Sequence, residues 1–272
     1  MSLSYQHRYH AGGFADLHKH LWLVATLSYL TRKDKPLFWL DGHGGGGLYD
    51  LQGLEARKTA EAEGGILALE PNASQLSHPL WRLYWQLIAS CNPGADSMLR
   101  YYPGSALLAA KVLRPTDRLL CCELHPGEVR QLKASLESYP LAKVQQVDMA
   151  KAWPATLPPR ERRGGLLLDP SYELKTDYET VPRELVKAVK KWPTGIYLLW
   201  YPLLAAKGHE RLKRYLGECP GEVLIDEWHG ATVGADGRGL LGSGMAVVNP
   251  PYTVPEEMAA LKDQLWPLLG RG

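Results

Sequence analysis

The sequence predicts an α/β fold, a doubly wound and mostly parallel seven-stranded sheet with helices on both faces. Short apolar runs that end in an acid or a turn residue recur along the chain, and helical patterns separate most of them. A glycine-rich turn directly follows the first run, at the place where such sheets hold a nucleotide.

Taken in order, "YQHRYHAGGFADLHKHLWLV" predicts a helix beginning near Phe14 that sets Asp16, Lys19 and His20 on one face, three and four residues apart. Its histidines fit no common zinc spacing, and no metal is expected. "PLFWLDGHGGGG" is the first strand and its turn. Residues 51–105 then break the strand–helix rhythm. They read as a mainly helical insertion containing "HPLWRLYWQLIASC", and "SALLAAKVL" returns the chain to the sheet. The strands "RLLCCELHP", "AKVQQVDMA", "GGLLLDPSY" and "GIYLLWYP" follow, with helices "GEVRQLKASLESY" and "VPRELVKAVKKW" between them. "EVLIDEWHG", "SGMAVVNPPY" and a closing helix begun at Pro255 complete one domain, 1–272.

Composition excludes several classes. No apolar run is long enough to span a bilayer, and the start lacks the features of a signal peptide, so a cytoplasmic protein without membrane association is expected. Four cysteines form no C-x-x-C pair and are expected to be reduced thiols. The net charge of +2 is modest. The local clusters Arg32-Lys33-Lys35, Arg160 with Arg162-Arg163, Lys187 with Lys190-Lys191, and Arg211 with Lys213-Arg214 are each either a solvated face or part of a phosphate track.

The glycine turn formally satisfies the dinucleotide pattern, but four adjacent glycines satisfy almost any glycine pattern. The acids discriminate better. S-adenosylmethionine carries an ammonium, a ribose diol and an adenine amine but no pyrophosphate, so it calls for carboxylates. Asp41 and Gly45 would sit at its amino-acid end. Glu123, ending the second strand, is placed for the ribose hydroxyls, and Asp148 for the adenine amine, with Met149 over the ring.

Asp169-Pro170-Ser171-Tyr172 ends the fourth strand, one letter from the D/N-P-P-Y signature of amino-methyltransferases. Asp169 and the Pro170 carbonyl can accept the two N–H bonds of an adenine amine and favour the pyramidal nitrogen that attacks. Tyr172 would stack on the extruded base. Asn249-Pro250-Pro251-Tyr252 matches the letters fully but follows the last strand, far from the glycine turn, so Asp169 is the expected catalytic residue.

At this point the chain resembles the RlmJ family of bacterial 23S rRNA adenine-N6 methyltransferases. The likeness runs through "LSYQHRYHAG", "KHLW", "DKPLFWLDGHGGGGLYD", "LRYYPGS", "ELHP", "DPSYELKTDY", "TGIYLLWYP" and "GSGMAVVNPP". The resemblance implies a Rossmann-like class I methyltransferase that uses S-adenosylmethionine on 23S rRNA; a monomer is expected. It implies that His20, His43, Ser105, Glu123, Asp148, Met149 and Asp169 line the donor pocket. It also implies that Tyr5, His7 and Lys19 fold over the site to contact the RNA or order the pocket. Gly13-Phe14, the uninterrupted glycine run and Ser171 depart from the family pattern. The alternatives are an NAD-dependent dehydrogenase, a DNA adenine-N6 methyltransferase, and a non-catalytic RNA-binding module.

Overall fold

The computed structural model describes residues 7–94, 98–233 and 239–270. Helix α1 (Phe14–Thr31) leads into β1 (Phe38–Asp41). After the glycine turn come β2 (Leu48–Asp50), the short helices α2 (Leu54–Thr59) and α3 (Ile66–Leu69), α4 (Pro79–Ala89), β3 (Tyr101–Pro103) and α5 (Ser105–Val112). Then β4 (Arg118–Glu123), α6 (Pro126–Ser135), β5 (Ala142–Gln146), α7 (Met149–Thr156) and β6 (Gly164–Leu168) alternate. The chain ends with α8 (Asp177–Lys191), β7 (Ile196–Leu203), α9 (Gly208–Leu216), β8 (Val223–Val233), β9 (Gly239–Val248) and α10 (Val254–Leu265).

One sheet holds the strands in the order β5-β4-β1-β6-β7-β9-β8. The first five are parallel, and β9 runs antiparallel to both β7 and β8. The order reverses at β1, whose C-terminal end lies between those of β4 and β6, which is where this topology opens a crevice. All seven strands were legible because the inner ones are continuous apolar runs buried on both faces. Leu40, Leu119, Leu167 and Leu198 are fully buried.

Two apolar layers cover the sheet. One gathers α1, α4, α5 and α10, with Leu17, Leu21, Trp81, Leu108 and Leu261. The other gathers α7, α8 and α9, with Trp153, Leu185, Val189 and Leu212. Helix α1 is buried on nearly every side, packed on α5, α10 and α4 and against β7 and β9. This burial explains why its polar residues Asp16, His18, Lys19 and His20, all 3% exposed or less, are held by partners rather than by water. Phe14, where the family pattern differs, is 3% exposed and meets Trp228 and Trp266 at 5.9 and 5.8 Å.

Some local details differ from the sequence reading or were not read from it. The glycine turn leads into β2, and β2 pairs antiparallel with β3 in a small ribbon within the long connection between β1 and β4. The start of α5 returns to the turn, where the Gly104 N–H donates to the Gly47 carbonyl at 2.7 Å. Helix α8 begins at Asp177, with Pro182 inside it, rather than at the proline. Acids in its first turn favour the earlier start, and the helix continues through Pro182 despite the N–H that the proline cannot donate. Helices α7 and α9 are too short to stand out in the sequence.

The crossing of β1 and β6 also constrains sequence. Gly164 has φ +130°, and a Cβ there would stand 1.7 Å from the Phe38 carbonyl oxygen. Backbone cannot yield as a side-chain tip would, so Gly164→Ala should lower stability by about 3 kcal/mol or more. Chemical denaturation would measure this, and a loss below about 1 kcal/mol would mean the strands separate more easily than the close approach allows.

Candidate active site

The site is built around a buried lysine. Lys19 Nζ donates to Asp16 Oδ1 at 2.8 Å and to Asp169 Oδ2 at shorter range, joining α1 to the end of β6. Lys19 and Asp16 are each 3% exposed and Asp169 13%. Burial alone would lower the ammonium pKa, but the two carboxylates more than reverse this and hold Lys19 charged. Burial likewise opposes ionisation of Asp16, and His7 and Lys19 overcome it, so that carboxyl lies well below its usual range. Asp16 Oδ2 also accepts from the Gly12 N–H at 3.1 Å and meets His7 Nε2 at 2.9 Å. Two carboxylates and one ammonium leave the triad one negative charge in excess.

The glycine turn meets this triad from the sheet side. The Asp169 N–H donates to His43 Nδ1 at 3.0 Å, so His43 carries its hydrogen on Nε2. Burial depresses His43 to about 4, and it is neutral at physiological pH. Asp41, fully buried at the end of β1, accepts from the His43 N–H at 3.1 Å. Burial raises its carboxyl to about 6, partly offset by the Ser105 hydroxyl and the His43 N–H. Asp41 Oδ2, His43 Nε2 and His20 Nε2 have no hydrogen-bond partner among the described residues. Three orphaned buried polar atoms at the switch point are what a polar ligand would satisfy.

The remaining expected donor residues frame the same end of the sheet. Gly45, at φ +56°, donates its N–H to Glu123 Oε2 at 3.0 Å, while Glu123 Oε1 accepts from the N–H groups of Leu124 and His125. A Cβ at Gly45 would stand 2.1 Å from the Tyr49 hydroxyl, so glycine is required here. Ser105 opens α5 and is 7% exposed. Asp148 is half-buried between β5 and α7, and Met149, 3% exposed, packs under Gly42. His20, fully buried, pairs through Nδ1 with the Tyr102 hydroxyl at 2.9 Å.

On the other side of Asp169 opens a cavity of about 750 Å³. Lys19, Asp169, Ser171, Tyr172 and Trp200 form its floor, and His10 and Glu61, 2.7 Å apart, form part of its wall. Pro170 is buried. Tyr172 has φ +53°, a strained conformation for an aromatic residue. Its hydroxyl donates to the Trp200 carbonyl at 2.7 Å, and its ring lies 4.5 Å from that of Tyr178. His7 reaches the cavity through its contact with Asp16, and Tyr5 lies outside the described residues.

Asn249 sits elsewhere. Because β9 is antiparallel, its end lies beside the start of β7, at the edge of the sheet opposite Asp169. Asn249 Nδ2 donates to the carbonyls of Pro193 and Gly195, at 2.9 and 2.8 Å, and φ is +56°, so this residue closes a turn. Tyr252 is 88% exposed. The clusters at Arg32–Lys35 and Arg160–Arg163 precede β1 and β6 and so share that far edge, as does Lys187–Lys191 at the end of α8. They do not surround the cavity.

Sequence reasoning missed Trp200, Ser243, His18 and Asp226. Trp200 lay inside an apolar strand run, where an aromatic reads as core.

His20 gives the site a pH signature. Burial lowers its pKa from 6.5 to about 3, so the unfolded chain binds the extra proton first, and stability is lost as pH falls below 6.5. Between pH 7 and 5 the wild type should lose on the order of 2 kcal/mol more stability than His20→Gln. Parallel denaturation curves for the two proteins would contradict the neutral buried imidazole.

The chain is similar to known proteins over nearly its whole length. Ribosomal RNA large subunit methyltransferase J of Haemophilus influenzae is 38% identical over 256 residues, covering 94% of this chain and 90% of the relative. The protein of the same name from Escherichia coli is 36% identical over 256 residues, again covering 94% and 90%. A crystal structure of a Legionella pneumophila protein, 36% identical, superposes with a TM-score of 0.89 and covers 97% of this chain and 95% of the other. The family model described as ribosomal RNA large subunit methyltransferase D, RlmJ, matches residues 34–271, and the chain belongs to that family.

Proposed function

We propose that this protein transfers a methyl group from S-adenosylmethionine to the N6 amine of one adenine in 23S rRNA. The observation that carries this reading is the position of Asp169. Its carboxylate stands between a turn holding orphaned polar atoms and an open cavity, at the switch point of the sheet.

The residues present fit the donor. Asp41 and His43 offer an unsatisfied acceptor and donor, and Gly45 leaves the turn free of a side chain. Asp41, His43, Gly45 and Ser105 would hold its amino-acid end, with His20 behind them. Glu123 would take the ribose hydroxyls, and Asp148 and Met149 the adenine. When bound, the donor supplies an electrophilic methyl carbon on a sulfonium.

The chain's own residues do the rest. The Asp169 carboxylate and the Pro170 carbonyl accept the N–H bonds of the target amine, which localises its lone pair. Lys19 stays charged between two carboxylates and cannot serve as a base. Its role is to fix Asp169 and to moderate the excess negative charge. Tyr172, held in its strained turn, borders the extruded base, and His7 meets the RNA at the cavity. Because A-form major grooves exclude side chains, the acceptor is presented in a loop or hairpin. The helical segments within 51–105, which supply Thr59 and Glu61 to the cavity, meet the surrounding RNA. We place this activity in the cytoplasm, carried out by a monomer of one domain.

The test is methyl transfer from labelled donor to matched 23S rRNA and DNA hairpins. RNA should be the preferred acceptor. Asp169→Ala should reduce transfer by about 10³-fold or more, with donor affinity within a few-fold of wild type. Lys19→Ala should cost about 10²-fold or more, and Asn249→Ala should leave the rate nearly intact. Activity that survives Asp169→Ala and vanishes with Asn249→Ala would overturn the assignment.

A further inference from the structure

We propose that Trp200 is the stacking platform for the acceptor base, and that Ser243, His18 and Asp226 hold its indole in place. This rests on the reading of the cavity as the base pocket.

Tyr172, the aromatic residue of the D-P-S-Y turn, offers little open surface in this structure. It is 7% exposed, with Tyr178 4.5 Å from its ring on one side and the edge of Trp200 6.1 Å away. Trp200, at the C-terminal half of β7, is only half-buried and lines the same cavity beside Asp169. An indole presents the largest face that a side chain can offer to a purine, and such stacking tolerates a wide π-surface.

A platform is useful only if it cannot rotate, and Trp200 is fixed at both ends. Its carbonyl accepts the Tyr172 hydroxyl at 2.7 Å, which ties the platform to the catalytic turn. Its indole N–H donates to Ser243 Oγ at 2.9 Å. Ser243 Oγ lies 3.0 Å from His18 Nδ1, and His18 Nε2 lies 3.0 Å from Asp226 Oδ2, which also accepts from Trp22 Nε1 at 2.8 Å. Ser243 and His18 are fully buried.

One proton arrangement satisfies the whole chain. Burial keeps His18 neutral, so its Nε2–H donates to Asp226 and its Nδ1 accepts from the Ser243 hydroxyl. The Ser243 oxygen then accepts from Trp200. Every donor has one acceptor, and the direction runs from the cavity into the core. The same helix α1 that delivers Lys19 to Asp169 thus orients the indole through His18, one residue earlier and about 100° around the helix.

Binding of adenosine 5′-monophosphate to the full-length protein, measured by calorimetry without transfer, tests the platform separately from the reaction. Trp200→Ala should weaken this binding about 10-fold or more, and Trp200→Phe by clearly less. With 23S rRNA fragments as acceptor, Trp200→Ala should raise KM by a similar factor while donor affinity stays near wild type. Ser243→Ala should raise the RNA KM more than it lowers kcat, the signature of a misoriented binding face. Wild-type nucleotide affinity in folded Trp200→Ala, or no nucleotide binding by wild type, would overturn the proposal. Nucleotide binding that depends on Trp200 in a protein that methylates no RNA would uphold the platform and reject the methyltransferase reading.

Discussion

An ammonium buried between Asp16 and Asp169 is the interaction on which the site depends. Burial disfavours charge on Asp16 and on Lys19, and each is held ionised by its oppositely charged neighbours. Pairing satisfies all three and fastens helix α1 across the ends of the sheet strands. Buried ion pairs contribute little net stability against an apolar replacement, but breaking one costs several kcal/mol, so such a contact specifies geometry more than it adds stability. Here the geometry it specifies is the position of Asp169.

The consequences spread outward along α1. Asp16 gathers His7 and the Gly12 N–H, which draws the segment before the helix toward the cavity. His20 reaches Tyr102 and, through it, Tyr84 of α4. His18 reaches Ser243 and Asp226 on the antiparallel strands. One helix therefore ties together the glycine-turn side, the cavity side and the carboxylate between them. That coupling explains how Asp16, His18, Lys19 and His20 are accommodated in a helix buried on almost every face.

Much of the fold was legible because the inner strands carry apolar residues on both faces and end in acids or glycines. The ribbon of β2 and β3 was not, since three-residue strands such as Leu48–Asp50 leave no periodicity to read. The expected catalytic acid was separable from its rival by topology: Asp169 follows β6, next to β1, whereas Asn249 follows an antiparallel strand whose end points the other way. The spacing of Asp16 and Lys19 showed that they share a helix face, but their pairing with Asp169, 150 residues away, needed the tertiary structure. Trp200 and Ser243 were hidden for the same reason, because a strand's pattern gives the face a residue occupies and not whether that face meets a cavity. The basic clusters were left undecided because local charge density carries no information about which end of the sheet it reaches.

The most direct test is a double-mutant cycle between Lys19 and Asp169, using the unfolding free energies of Lys19→Met, Asp169→Asn and the double variant. If the buried pair organises the site, the single changes should together cost at least about 2 kcal/mol more than the double change. Costs that add to within about 0.5 kcal/mol would mean the two groups are energetically independent, contradicting the account.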